Sequence, residues 1–531
     1  MIRNPVLPGF NPDPSFLRVG EDYYIATSTF EWYPGVQIHH SRDLVNWTLV
    51  ARPLNRAALL DMRGDPDSGG IWAPCLSHDG DRFWLVYTDV KRVTGSFKDA
   101  HNYITACSTI DGDWCDPWYV NSSGFDPSLF HDDDGRKWFV NLRWNHRGSG
   151  TGGNPANDSF DGILLQEWSP EEGLLGTSQV IYHGTDRGLT EGPHLFKRDG
   201  WYYLTVAEGG TGYDHAVTMA RSRAITGPYE THPERHVICA AGSDGPIQRT
   251  GHGQYVETHW GRHYHSFLMG RPQQGPKGLF CATGRETGLE EVEWRDGWLW
   301  LKQGGMVPRL EVPAPSGAEA GPDRDAPVER VFSGSLPPEF QWLRSPYPER
   351  LFRTDPEALT LIGRESLGSW FEQSLVARRQ EHAAYAAETV IEIEPEDYQH
   401  AAGLVTYYNR HKYHAALISD EPGLGRALYI ASCPGDWQNE AMVRQGEAVA
   451  LEEGPVSLRV EVEGARQRFL YRQDEGDWRP VGPQLDASVI SDEGGRGEHA
   501  SFTGAFVGIL AFDTSGQARE ARVRRFGYHP A

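Results

Sequence analysis

FDPSLFHDDDGRKWFV (125–140) reads as one corner of a repeating β unit. A small or acidic residue, usually followed by proline, opens each unit, here Asp126-Pro127. A short apolar strand, an Asp/Gly turn and an aromatic strand follow. The same order begins at Asp13-Pro14, Ala73-Pro74, Asp126-Pro127, Gly192-Pro193 and, in looser form, His252-Gly253, with steps of 60, 53, 66 and 60 residues. Each unit is long enough for about four strands, so five of them predict a five-bladed β-propeller.

The first strand of a propeller blade lines the central channel, so the five openings are expected to converge there. Asp13, Asp126, Glu191 and His252 lie at or beside them. Polar groups in that register are hard to explain by packing, because buried charge is costly unless paired or used.

The repeat stops near residue 308. PAPSGAEAGPDRDAP (313–327) reads as a linker. Beyond it, TVIEIEP, AGLVTYYNR, YHAALIS, RALYIAS, VSLRVEVEG and FVGILAFD alternate as antiparallel strands do, which suggests a two-sheet sandwich. The expected division is 1–312 propeller, 313–327 linker and 328–531 sandwich. The phrase SFTGAFVGILAF (501–512) is either a core strand or a loop packed on the propeller.

The 531 residues carry a formal net charge of −23. That surface repels nucleic acid and anionic membranes and suits a neutral substrate. The 18 Trp, 22 Tyr and 21 Phe can stack on sugar rings or fill β cores. No run of 18 apolar residues is present, and MIRNPVLPGFNPDPS has no signal-peptide pattern. The six scattered cysteines then read as free thiols, and a cytoplasmic location is expected. HDDDG (131–135) lacks the spacing of a calcium loop and reads as a hairpin turn.

Carboxylates from three blades meeting at one channel suit glycosidic-bond cleavage. Inversion needs one carboxylic acid to protonate the leaving oxygen and one carboxylate to activate a water. A third charge can hold the two pKa values apart.

NPVLPGFNPDPS (4–15), YYIATSTFEWYPGVQIHHSRDLVNW (23–47), GGIWAP (69–74), FDPSLFHDDDGRKWFV (125–140), TEGPHLFKRDGWYYL (190–204) and TGHGQ (250–254) closely resemble the family 43 glycoside hydrolases, and among them the bacterial two-domain β-xylosidases. The likeness runs from end to end. It implies an all-β chain, a five-bladed β-propeller followed by an antiparallel β-sandwich of the concanavalin A-like jelly-roll kind. It assigns Asp13 as general base, Glu191 as general acid, and Asp126 as the residue that orients the acid and raises its pKa. Inversion and exo-action on terminal xylose of xylo-oligosaccharides are implied with them, and many such enzymes also accept terminal α-L-arabinofuranosides. Arg285, in ATGRET, matches the arginine that contacts the sugar. Phe30 and Trp72 match apolar pocket walls, and Trp144 is a platform for a second sugar. A phenylalanine of the FTGAF loop, Phe502 in preference to Phe506, is expected to close the pocket.

His252 has three readings: a satisfied channel histidine, a substrate contact, or a ligand of a central divalent ion such as calcium. No cofactor is required by the likeness, and a homo-oligomer, dimer or tetramer, is implied. An α-L-arabinofuranosidase and a sugar-binding protein without catalysis stand as rivals to the exo-β-xylosidase.

Overall fold

The computed structural model describes residues 1–148, 159–436, 439–495 and 501–531. Its first part is five antiparallel sheets, each running outward from the hub in chain order. Their innermost strands are Ser15–Val19, Gly70–His78, Ser128–His131, Glu191–Arg198 and the broken pair Gln248–Gly251 and Tyr255–Glu257. HDDDG forms the turn between Ser128–His131 and Lys137–Trp144, with Gly135 N donating to Asp132 O at 3.0 Å. The Asp132 carboxylate also takes bonds from Lys197 and Tyr202 of the next blade.

Every inner strand carries the same irregularity at the repeat opening. In the first blade Ser28 N bonds Pro12 O, and the ladder resumes at Ser15↔Ala26. In the second, Trp72↔Thr88 is followed by Cys75↔Val86. In the third, Leu142 N bonds Phe125 O before Ser128↔Val140. In the fourth, Glu191↔Ala207 precedes His194↔Thr205. In the fifth, Gly251↔Leu268 precedes the bond from Ser266 N to Gln254 O. Three steps on the inner strand thus face two on its neighbour, which is a β-bulge.

The bulged residue is left-handed in all five blades, with φ of 56° at Asp13, 30° at Ala73, 55° at Asp126, 58° at Gly192 and 37° at His252. Asp, His and Gly tolerate that conformation, while at Ala73 it stores about 1–3 kcal/mol. The bulge turns the side chain out of the pleat and toward the axis.

The N-terminus closes the ring. Ile2–Arg3 pairs with Glu311–Val312. The Asn4 side chain bonds Leu289 O and Arg309 O and accepts from Leu289 N. Asn11 N reaches Arg285 O at 3.1 Å.

The second part is two eight-stranded antiparallel sheets packed face to face. One sheet is buried on both sides. Its inner face, with Val376, Leu404, Ala416 and Ile509, meets the other sheet. Its outer face, with Leu375, Tyr407, Leu417 and Phe506, meets Phe10, Trp32 and Trp72 of the propeller. That explains the unbroken burial of His400–Asn409 and the uniformly apolar FVGILAF. The phrase 501–512 is both things expected of it: Phe506–Asp513 is a core strand, and residues 501–505 form a loop against the propeller. The edge strand of this sheet belongs to the propeller segment, since Trp32–Tyr33 pairs with Leu343 and Trp342.

Candidate active site

A cavity of about 700 Å³ opens at the hub, within the range of small-ligand sites. Asp13, Asp126, Glu191, His252 and Arg285 all face it, together with Phe502 from the second part of the chain. The bulges explain the grouping. Asp13, Asp126 and His252 are themselves bulged residues, whereas Glu191 stands one position earlier, in the register of Trp72 and Phe125. The acidic groups thus approach from two tiers of the inner strands.

Asp13 is held as an anion. Its Oδ2 accepts from Ser28 Oγ at 2.7 Å and its Oδ1 from Arg285 Nη1 at 3.1 Å. Burial pushes its pKa up most strongly, but Arg285, His252 and the Ser28 hydroxyl together outweigh it and leave the carboxyl below its ordinary value. Glu191 goes the other way. Burial first and the Asp13 charge second raise it to about 8, against the pull of Arg285 and Lys98. Asp126 is raised well above its ordinary value by burial, then by Glu191 and Asp13. Its Oδ2 accepts from Gly192 N at 3.1 Å, so it grips the backbone next to Glu191. The repulsion between Asp126 and Glu191 raises the pKa of Asp126.

Arg285 is 3% exposed. Besides Asp13 it bonds Phe502 O through Nη2 at 3.0 Å, and its guanidinium lies 5.4 Å from the Phe30 ring centre. Phe30, Trp72 and Phe502 form a mutually packed wall, with ring centres 5.8–6.5 Å apart. Ser68 ties that wall together: its carbonyl accepts from Trp72 Nε1 at 2.8 Å and its hydroxyl from Phe502 N at 3.1 Å. Phe506 lies elsewhere, fully buried and stacked 3.7 Å over Trp32. Trp144 lies at the outer wall, where Lys98 Nζ sits 4.7 Å from its ring centre.

His252 Nδ1 is 4.0 Å from both Asp13 Oδ1 and Asp126 Oδ2, and its ring packs edge-on against His194. Burial, the largest influence, lowers its pKa. Calcium takes six to eight oxygens. Among the described residues no group of three or more His, Cys, Asp or Glu is arranged to hold a metal ion, and the side chains around His252 do not make up such a shell.

Sequence reading missed Phe125, Phe160, Lys98 and His215, which also line the cavity. Phe125 was findable, because it immediately precedes Asp126 as Trp72 precedes Ala73. Lys98 comes from a connection with no repeat signal. His215 lies against Gly251, where a Cβ would come within 2.1 Å of its ring, so only glycine fits before His252. Burial and the neighbouring His252 and Arg285 push the His215 pKa down to about 3, which keeps it neutral.

Comparison with known proteins places the chain in a family. Residues 2–299 match the model for glycosyl hydrolases family 43, and residues 331–529 match the β-xylosidase C-terminal concanavalin A-like domain. The chain is 54% identical to a xylosidase/arabinosidase 43B of Humicola insolens, over 100% of this chain and 98% of that protein. It is 46% identical to a β-xylosidase of Bacillus subtilis (strain 168), covering 99% of each. The crystal structure of a xylan β-1,4-xylosidase from Bacillus halodurans C-125 superposes with a TM-score of 0.93 at 45% identity, over 100% of both chains. The likeness covers both parts of the chain, propeller and sandwich, and the chain belongs to glycoside hydrolase family 43.

Proposed function

We propose that this chain is an inverting exo-β-xylosidase that releases terminal xylose from xylo-oligosaccharides. The observation that carries the reading is the opposite tuning of two carboxyl groups in one cavity, Asp13 below its ordinary pKa and Glu191 at about 8. At neutral pH the first is a base and the second an acid. Asp13 takes a proton from the attacking water. Glu191 gives its proton to the glycosidic oxygen as the bond to the anomeric carbon breaks. Asp126 holds the backbone at Gly192, next to the acid. Arg285 and the Phe30, Trp72 and Phe502 wall receive the terminal sugar, and Trp144 the next one.

Phe502, brought in by the second part of the chain, supports a pocket over a through-groove, and a pocket favours removal of end units. The division 1–312, 313–327 and 328–531 is our working assignment of the two parts and their linker. The test is turnover of xylobiose by Asp13→Ala and Glu191→Ala, with the anomeric configuration of the first product read by NMR. Wild-type turnover by either variant, or a retained configuration, overturns the assignment. Activity on α-L-arabinofuranosides is a second reading, favoured by the relative named xylosidase/arabinosidase, and paired kinetics on the two aryl glycosides decide it. Binding of xylobiose without turnover by the wild-type chain would instead favour a sugar-binding protein.

A further inference from the structure

Away from the hub, a second cavity of about 310 Å³ lies on the seam between propeller, linker and sandwich. Three arginines line it: Arg52 from the first blade, Arg324 from residues 313–327, and Arg379 from the strand Ser374–Arg379. None of the three has an ion-pair partner among the described residues. Arg52 bonds the Gln37 side chain and the carbonyls of Pro338 and Phe340. Arg324 bonds the carbonyls of Arg3, Pro5 and Val6. Arg379, 5% exposed, bonds Phe10 O and the Gln341 side chain, and its Nη2 has no partner.

Two carboxylates also line the cavity, and each is already engaged by another arginine, Glu339 by Arg330 and Glu381 by Arg378. The wall with its partners therefore holds five guanidiniums against two carboxylates. A buried cation without an ion pair is costly, and here the buried Arg379 shares one concave space with the half-buried Arg52 and Arg324. Clefts focus such a field, and the guanidinium fork matches carboxylate, phosphate and sulfate oxygens.

We propose that this seam cavity binds a small oxyanion, which neutralises Arg52, Arg324 and Arg379 and ties propeller, linker and sandwich together. Burial supports it, pushing the Arg52 pKa down to about 10 and lowering that of Arg379, the latter with a further push from Arg52. Other charged groups bearing on the site are Glu286, Arg3 and Arg271, and Glu286 is bonded to Arg271. The shared chemistry is a compact group of two or three anionic oxygens, whether free inorganic anion or the carboxylate of a sugar acid.

The test is calorimetric titration of the full chain with inorganic phosphate, sulfate and D-glucuronate, ionic strength being held constant with chloride. One-to-one saturable binding is expected, with a saturable rise in melting temperature. Arg52→Gln and Arg324→Gln should each weaken binding at least tenfold and remove the thermal rise, while xylobiose turnover stays at the wild-type level. Arg379 is left intact in the test because it fastens Phe10 to Gln341. Binding of phosphate and sulfate alone identifies an inorganic anion, and preference for glucuronate a sugar acid. No response beyond that to chloride, or affinity unchanged in both variants, overturns the proposal.

Discussion

Removing one hydroxyl should retune the base. Ser28 Oγ donates to Asp13 Oδ2 at 2.7 Å and accepts from Ala73 N at 2.7 Å, and Ser28→Ala deletes both bonds. A hydrogen bond to a charged acceptor contributes about 1.5–3 kcal/mol, and about 1.4 kcal/mol corresponds to one pKa unit. Asp13 should therefore rise by about one to two units, with Arg285 and His252 still holding it down in part. The group works ionised, so a raised pKa carries the acid limb of the kcat/KM profile to higher pH by the same amount. The Ala73 amide, left without its acceptor, costs about 1–3 kcal/mol of stability. Full pH profiles of kcat/KM on xylobiose, beside thermal melts, separate the two effects. A plateau lowered at every pH with the acid limb unmoved would refute the electrostatic role and leave Ser28 as a strut for the bulge.

On the alkaline side, kcat/KM should fall about tenfold per unit above about pH 8 as Glu191 loses its proton. Lys98→Met should move that limb upward, because the lysine favours the ionised form; pH profiles of the two proteins check it. Phe502→Ala should raise KM for xylobiose about 10- to 100-fold, the equivalent of about 1.5–3 kcal/mol of lost aromatic burial, with kcat less affected. Asp67 bonds Arg344 Nη2 and Arg410 Nε, each at 2.9 Å, where the two parts of the chain meet. Asp67→Asn leaves the buried Arg344 without its ion pair, while Arg410 keeps Glu440, and should destabilise by about 3–5 kcal/mol, visible in denaturant unfolding followed by tryptophan fluorescence.

The five openings were legible because proline and acidic or small residues recur at a regular step. The bulge behind them was not. Asp13, Ala73, Asp126, Gly192 and His252 share one backbone state but no side-chain type, and Ala does not advertise φ above zero. That hidden register is why the sequence placed Glu191 beside its opening without showing that it enters the hub one tier away from Asp13. The hairpin at HDDDG was readable from local turn chemistry. Pairing of Trp32–Tyr33 with Trp342 and Leu343 joins positions some 300 residues apart, which no short-range pattern encodes. The same holds for Lys98 and for the Ser68 clamp on Phe502, since both depend on connections that fold over the hub. Residues 313–327 read as a plain linker, yet Arg324 is anchored on Arg3, Pro5 and Val6.

The edge strand lent by Trp32–Tyr33 bears on how such a chain can be recombined. A graft that exchanges everything after the linker for a relative's sequence would still have to seat its outermost strand on residues 32 and 33, and Phe506 on the Trp32 indole. Expressed apart, the second half would lose its last backbone partner, and the first half would present an unpaired edge and a bare indole beside its own reaction centre. The two halves therefore share one sheet, and successful chimeras will be those whose crossover carries the 30–35 corner along with the C-terminal half.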